Sequence, residues 1–283
     1  SPSRAPSVRY TCIASVYGSS PVEHPADQMR SRLLSPRSRI RFGSTSVSNT
    51  SSCAWFRQND VSFSVSRPSP TPPPSATPPP GYTRWPVVLR DFFLEEANDW
   101  EYGDVDGELA GGQLSARAGK YRFDITSISG VVWWSRALAA TATTDFYARV
   151  DARRLSGPAD SDYGLVFRHT GFSYYYFQVS DSGQYALYRY DDGWTLLVDW
   201  TASAAIRPDE VNQLAVLAEG PRFTLFVNDQ MLTEVEDDRL PSGSVGVAIQ
   251  IYDGDENAVF EFDNFEWRAP AAAVTHFTPT PQP

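Results

Sequence analysis

The chain has 283 residues, of which 41% are hydrophobic and 13% aromatic, a balance that suits a globular core and excludes a wholly disordered chain. Its net charge of −10 is unevenly placed: residues 1–85 hold ten Arg, no Lys and three acids (net +7), while the remainder holds 14 bases against 31 acids (net −17). So acidic a second part repels phosphate backbones, which argues against nucleic-acid partners, and no apolar run approaches the ~18–20 residues that span a bilayer.

Residues 1–67 are rich in Ser and Arg with weak alternation, as in Val61–Val65, and are expected to be poorly ordered or marginally folded. Both cysteines, Cys12 and Cys53, fall in this segment. They could form one disulfide in an oxidising compartment, but their spacing matches no motif, so pairing stays open. The chain starts without Met, and a processed or truncated start is expected. Residues 68–85 read as a linker: PSPTPPPSATPPPG fixes φ and removes N–H donors, giving an extended spacer. A Pro/Thr-rich tail over 269–283 reads the same way.

Between these spacers, residues 86–268 repeat one grammar of short runs rich in Val, Phe and Tyr, separated by Ser, Gly and Asp clusters. In Asp145–Arg154 the side chains of Phe146, Ala148, Val150 and Ala152 share one face, and Tyr147, Arg149, Asp151 and Arg153 the other. Asp191-Asp192-Gly193 and Asn228-Asp229 are hairpin turn signals. Eleven or twelve strands are expected, too many for one open sheet with a wet apolar face, so two stacked antiparallel sheets are expected.

The order of elements carries a resemblance. Asp91-Phe92 at entry is followed by DFYARVDARRLSGPADSDYGLVFR, YYYFQVSDSGQYALYRYDDGWTLLVDWTAS, NQLAVLAEGPRFTLFVNDQMLTEVEDD, SGSVGVAIQ and FEFDNFEW. This resembles the concanavalin A-like (laminin G-like) jelly-roll modules of bacterial surface proteins, close to the domain called 3-keto-disaccharide hydrolase. The resemblance covers about 86–268 and implies an all-β, two-sheet jelly-roll sandwich displayed outside the cell or on its surface. It leaves function open, because the superfamily holds lectins, glycan-binding modules, adhesion domains and glycosidases. In many such jelly rolls a closing-strand Asp helps hold one structural Ca²⁺, and the resemblance puts Asp263 there with Asp91 as its neighbour; the alternative is that Asp91 and Asp263 each bond backbone amides at a strand end.

Three constellations follow. Glu261, Asp263 and Glu266 form an E-x-D-x-x-E pattern similar to the catalytic strand of jelly-roll β-glucanases. In a regular strand Glu266 would face away from the other two. One bulge near Asn264 would align all three and keep Phe260, Phe262, Phe265 and Trp267 dry on the opposite side. That same bulge meets a purely structural demand, and in those enzymes further strands follow the motif, so the structural reading is preferred to catalysis. The second constellation is aromatic: Trp133, Trp134, Tyr174, Tyr175, Tyr176, Tyr188, Tyr190, Trp194 and Trp200 exceed what a core holds. Adjacent rings such as Trp133-Trp134 must point to opposite faces. An exposed aromatic surface is therefore expected from Trp133, Trp134, Tyr174, Tyr176, Tyr188 and Trp194, with Arg168 as an outward charge, stacking on the apolar faces of a glycan. Third, His169 reads as a turn residue or the edge of a binding site. The function expected is a non-catalytic carbohydrate-binding or adhesion module. A glycoside hydrolase working through Glu261, Asp263 and Glu266 is one alternative, and a self-associating surface module is the other.

Overall fold

The computed structural model describes residues 81–137 and 141–276. The Ser/Arg-rich segment, Cys12 and Cys53, the proline run through Pro80 and residues 277–283 lie outside the described residues.

The described chain is strands joined by turns and loops, with two single-turn 3-10 helices at Tyr82–Arg84 and Ala271–Ala273. In order the strands are β1 Val87–Asp91, β2 Gly103–Asp106, β3 Ala110–Arg117, β4 Lys120–Ser127, β5 Val131–Arg136 and β6 Thr141–Thr143. They continue as β7 Phe146–Ser156, β8 Asp162–Thr170, β9 Ser173–Ser180, β10 Gln184–Tyr190, β11 Trp194–Ala202 and β12 Asn212–Glu219. The last are β13 Arg222–Val227, β14 Gln230–Glu236, β15 Ser244–Ile251, β16 Glu256–Arg268 and β17 Val274–His276. No helix among the described residues is long and apolar enough to cross a membrane.

All the pairings are antiparallel and build two main sheets, the jelly-roll sandwich expected from the sequence. One has nine strands in the order β14-β13-β12-β7-β16-β4-β3-β2, with β1 also pairing β16. The other has six, β11-β10-β9-β8-β15-β5. The alternation along β7 survives: Phe146, Ala148, Val150 and Ala152 are at most 1% exposed, facing the six-stranded sheet, while Arg149 and Arg153 face out. Tyr121, Phe123, Phe260, Phe262, Phe265 and Trp267 come from the larger sheet and Tyr163, Phe167, Tyr175, Phe177 and Ile249 from the smaller, and all are fully buried between them. Each such side chain stabilises the sandwich by about 1.5–3 kcal/mol through burial.

Both expected boundaries shift outward. Tyr82, placed in the linker by sequence, is buried and stacks on Tyr147 with ring centroids 4.0 Å apart, because the outer face of β7, β12 and β13 carries an apolar patch of Ala215, Leu217 and Phe226. At the other end Ala269 is buried and β17 pairs with β6, so the first residues of the expected tail belong to the fold. Gly103–Asp106 pairs as an edge strand with β3.

Candidate functional site

The outer face of the six-stranded sheet is built by strand parity. In β8 the residues Tyr163, Leu165 and Phe167 point into the sandwich, so Asp162, Gly164 and Val166 point out. In β9, Tyr175, Phe177 and Val179 point in, and Tyr174, Tyr176, Gln178 and Ser180 point out. Trp133 on β5 is likewise internal, its indole N–H donating to Glu101 Oε2 at 3.1 Å, which turns Trp134 outward. Small residues align across the middle of this face: Gln178 is registered with Gly164 and Ala186, and Ala248 with Gly164 and Trp134.

Large rings occupy the space those small residues leave. Trp134 lies 4.1 Å from the His169 ring, His169 stacks on Tyr174 at 5.7 Å and 6°, and Tyr174 stacks on Tyr190 at 5.6 Å. Trp194 meets Tyr174, Tyr188 and Tyr190 edge-on at 5.1–6.0 Å. Such pairs prefer these offset and T-shaped geometries. Trp194 stands on edge strand β11, yet it lines one shallow depression with Val132 of the opposite edge strand β5 and with Gln250 and Tyr252. Six strands laid flat put their edges ~24 Å apart, further than an indole reaches, so the sheet curls and this face is hollow. Trp134, Tyr190 and Trp194 are half-buried at its surface, packed on buried Val166, Tyr174, Tyr176 and Ala248.

Polar groups lie beneath the rings. Asp162 is fully buried and accepts hydrogen bonds from Tyr176 Oη at 2.7 Å and Tyr252 Oη at 2.6 Å. Burial pushes its carboxyl up to about 8 despite those two phenols, which favour the charged form. His169, 2% exposed, is pushed down to about 3 by burial and then by the neighbouring Arg136 guanidinium, which donates to Nδ1 at 3.3 Å. The face therefore holds its acid protonated and its imidazole neutral near pH 7.

Of the sequence-predicted binding residues, the structure brings Trp134, Tyr174, Tyr176, Tyr188 and Trp194 to this face. Tyr176 and Tyr188 are buried within it and Tyr174 is 5% exposed, so they form its floor more than its rim. Trp133 belongs to the core, and this corrects its assignment as a surface ring. Arg168 is corrected too. A bulge between Phe167 and Thr170, with Arg168 at φ +48°, breaks the alternation and turns its side chain inward, where it is 1% exposed. Asp162 and Gln178 were missed, although they share strand parity with Tyr174 and Tyr176. Phe172, 60% exposed at the tip of the β8–β9 hairpin, was missed because hairpin tips carry no burial pattern.

The acidic strand lies on the outer face of the other sheet. The expected bulge is present: register shifts between Asp263 and Glu266, with Asn264 at φ +51°, and Phe260, Phe262, Phe265 and Trp267 are all dry. The three carboxylates are each claimed by a base. Glu261 pairs with Arg153 at 2.8 Å and Arg122 at 3.8 Å, Asp263 with Lys120, and Glu266 with Arg90, Arg149 and Arg268. Burial alone would raise the Glu266 carboxyl, but hydrogen bonds from Arg268 and Arg90 and the charge of Arg149 hold it below the usual range. A glycosidase acid needs the opposite shift.

The residues expected to bind calcium do not fit that ion. Asp91 Oδ1 accepts from the Phe93 N–H at 2.7 Å, and Oδ2 from Asn98 Nδ2 at 2.8 Å and Trp100 Nε1 at 2.9 Å, so both oxygens face N–H donors that repel a cation. Asp263 holds an ammonium. No cluster of three or more His, Cys, Asp or Glu suited to a metal occurs among the described residues. Asp91 instead pins the loop that follows β1. Adding calcium or EDTA is expected to leave the melting temperature unchanged, while Asp91→Ala, which orphans three donors, lowers stability by about 2–4 kcal/mol in urea titrations.

No family model matches the chain. It is 36% identical over 105 residues to a TPR repeat-containing protein of Treponema pallidum (strain Nichols); the match spans 36% of this chain and only 13% of that protein. Among solved structures it is similar to carbohydrate binding module CBM66 from Bacillus subtilis, at 17% identity, covering 62% of this chain and 98% of that one with a TM-score of 0.45. It is also similar to a Bacillus subtilis protein of unknown function with a galectin-like fold, at 14% identity, 67% and 97% coverage and a TM-score of 0.48. A β-1,3-1,4-glucanase (lichenase) from a mouse hindgut metagenome is similar at 12% identity, 64% and 98% coverage and a TM-score of 0.47.

Proposed function

We propose that this domain is a non-catalytic module that binds carbohydrate through the hollow outer face of its six-stranded sheet, on a chain displayed outside the cell between proline-rich spacers. One observation carries the reading: Trp134, His169, Tyr174, Tyr190 and Trp194 make a contiguous run of rings on a single face, with Trp134, Tyr190 and Trp194 partly open. Sugar rings present C–H faces to such surfaces and hydroxyls to the polar groups between them. The ion pairs that occupy Glu261, Asp263 and Glu266 support a binding role over hydrolysis at that strand.

Affinity electrophoresis in gels containing a soluble neutral β-glucan, fructan or galactomannan tests this. Retardation by at least one polymer is expected, and Trp134→Ala or Trp194→Ala should weaken it roughly 10- to 100-fold, the worth of one stacked ring. Both rings are half-buried, so a melting point lowered by only a few degrees is expected. Retardation by none of the three, or full affinity in both variants, would remove the proposal.

A further inference from the structure

Most buried polar atoms in proteins find a partner. Two on this face do not: Oε1 of Gln178, a residue 1% exposed, and Nε2 of His169, 2% exposed. Four of the remaining unpaired atoms are Nε atoms of Arg149, Arg154, Arg168 and Arg189, whose terminal nitrogens are already engaged, so they need no ligand. The two on the hollow face differ: Gln178 Oε1 has no partner, and His169 is engaged through Nδ1 alone, by Arg136.

Their chemistry is defined by their neighbours. Arg136 has only donors, so its bond to His169 Nδ1 makes that nitrogen an acceptor and leaves the proton of the neutral ring on Nε2. Nε2–H is thus a buried donor without an acceptor, and Gln178 Oε1 a buried acceptor without a donor. Burial keeps the imidazole uncharged. Resting on the carbohydrate reading, we infer that His169 and Gln178 are specificity-determining residues of this site, reading hydroxyls of a neutral sugar, one as acceptor and one as donor, once the half-buried Trp134 and Trp194 rings part to flank it. β11 is an edge strand with no buried residue, its register with β10 slips at two points, and Trp194 follows Gly193, whose φ of +139° is open to glycine alone.

An unpaired buried polar atom costs stability, so its apolar isostere should restore it. Gln178→Met is expected to raise the melting temperature by ~2–4 °C, and His169→Phe, which removes the orphaned Nε2 but also the acceptor of Arg136, to leave it within about 2 °C; both should weaken binding to the neutral polymer that retards the wild type at least tenfold. The unaltered protein gives a second measurement that needs no variant to fold: in a series of monodeoxy oligosaccharides of the bound polymer, at least one position should bind ten- to a hundredfold more weakly than the parent. Wild-type affinity in both variants, or equal affinity across the deoxy series, overturns the inference and leaves the carbohydrate reading standing. Binding of no neutral polymer by the wild type overturns both.

Discussion

Arg168→Met should lower the unfolding free energy by about 3–5 kcal/mol, the cost of leaving three carbonyls without their donors, with the urea midpoint falling and the m-value held. The guanidinium is 1% exposed and has no carboxylate partner in direct contact. Its Nη1 donates to Leu240 O at 3.0 Å, its Nη2 to Thr144 O at 3.0 Å and to Gly220 O, and its plane lies 4.7 Å over Phe223. Those carbonyls belong to three segments distant in sequence: the turn before β7, the β12–β13 turn and the loop before β15. One side chain thus ties three loops at one end of the sandwich. Burial depresses the guanidinium pKa, an effect only partly offset by Tyr175, Asp145 and Asp237, yet arginine stays charged at any working pH. Lysine cannot span three carbonyls with one ammonium, so Arg168→Lys should recover less than half the loss. A variant as stable as the wild type would mean that the carbonyls find water instead.

That clamp also shows where reading the residues stops. Period-two alternation over β7 set Phe146, Ala148, Val150 and Ala152 on one face, which is the dry one, and the four dry aromatics of β16 demanded a bulge near Asn264 that is present. These are local constraints, because a strand with one apolar face must put it on the core. Arg168 escaped because its backbone lies against Gly243, a residue far along the chain just before β15. A Cβ there would come within 2.3 Å of the Arg168 carbonyl carbon. The partners of the acidic trio were equally hidden: Lys120 is 143 residues from Asp263 and Arg90 is 176 from Glu266, and only sheet order brings them together. The hollow face required knowing the curl of the sheet. Nothing in WTLLVDW says that Trp194 crosses from one edge toward the other.

Two titrating groups on that face make opposite demands, and together they predict an uncommon pH profile. Asp162 has a folded pKa of about 8 against an ordinary 3.8, so the folded state holds a proton that the unfolded state releases between those values. Its stabilisation is complete below pH 3.8 and is lost as pH rises through 8. His169 runs the other way: with a folded pKa of about 3 against 6.5, the unfolded state takes up a proton first, so its contribution is complete above pH 6.5 and is lost on acidification toward 3. Each slope amounts to about 1.4 kcal/mol per pH unit. Between roughly pH 4 and 6.5 the two cancel, and above 6.5 the Asp162 slope acts alone, removing about 2 kcal/mol by pH 8. Asp162→Asn deletes the falling limb, so its stability relative to wild type should climb by about 5 kcal/mol from pH 4 to 8. His169→Phe deletes the rising limb, so its advantage over wild type should be largest near pH 4 and shrink by about 3 kcal/mol toward pH 6.5. Urea midpoints at half-unit pH intervals measure both differences, and because every other titrating group is common to the three proteins, it drops out of the comparison. Parallel profiles for Asp162→Asn and wild type would mean that Asp162 is ionised in the folded state, its charge carried by the hydroxyls of Tyr176 and Tyr252.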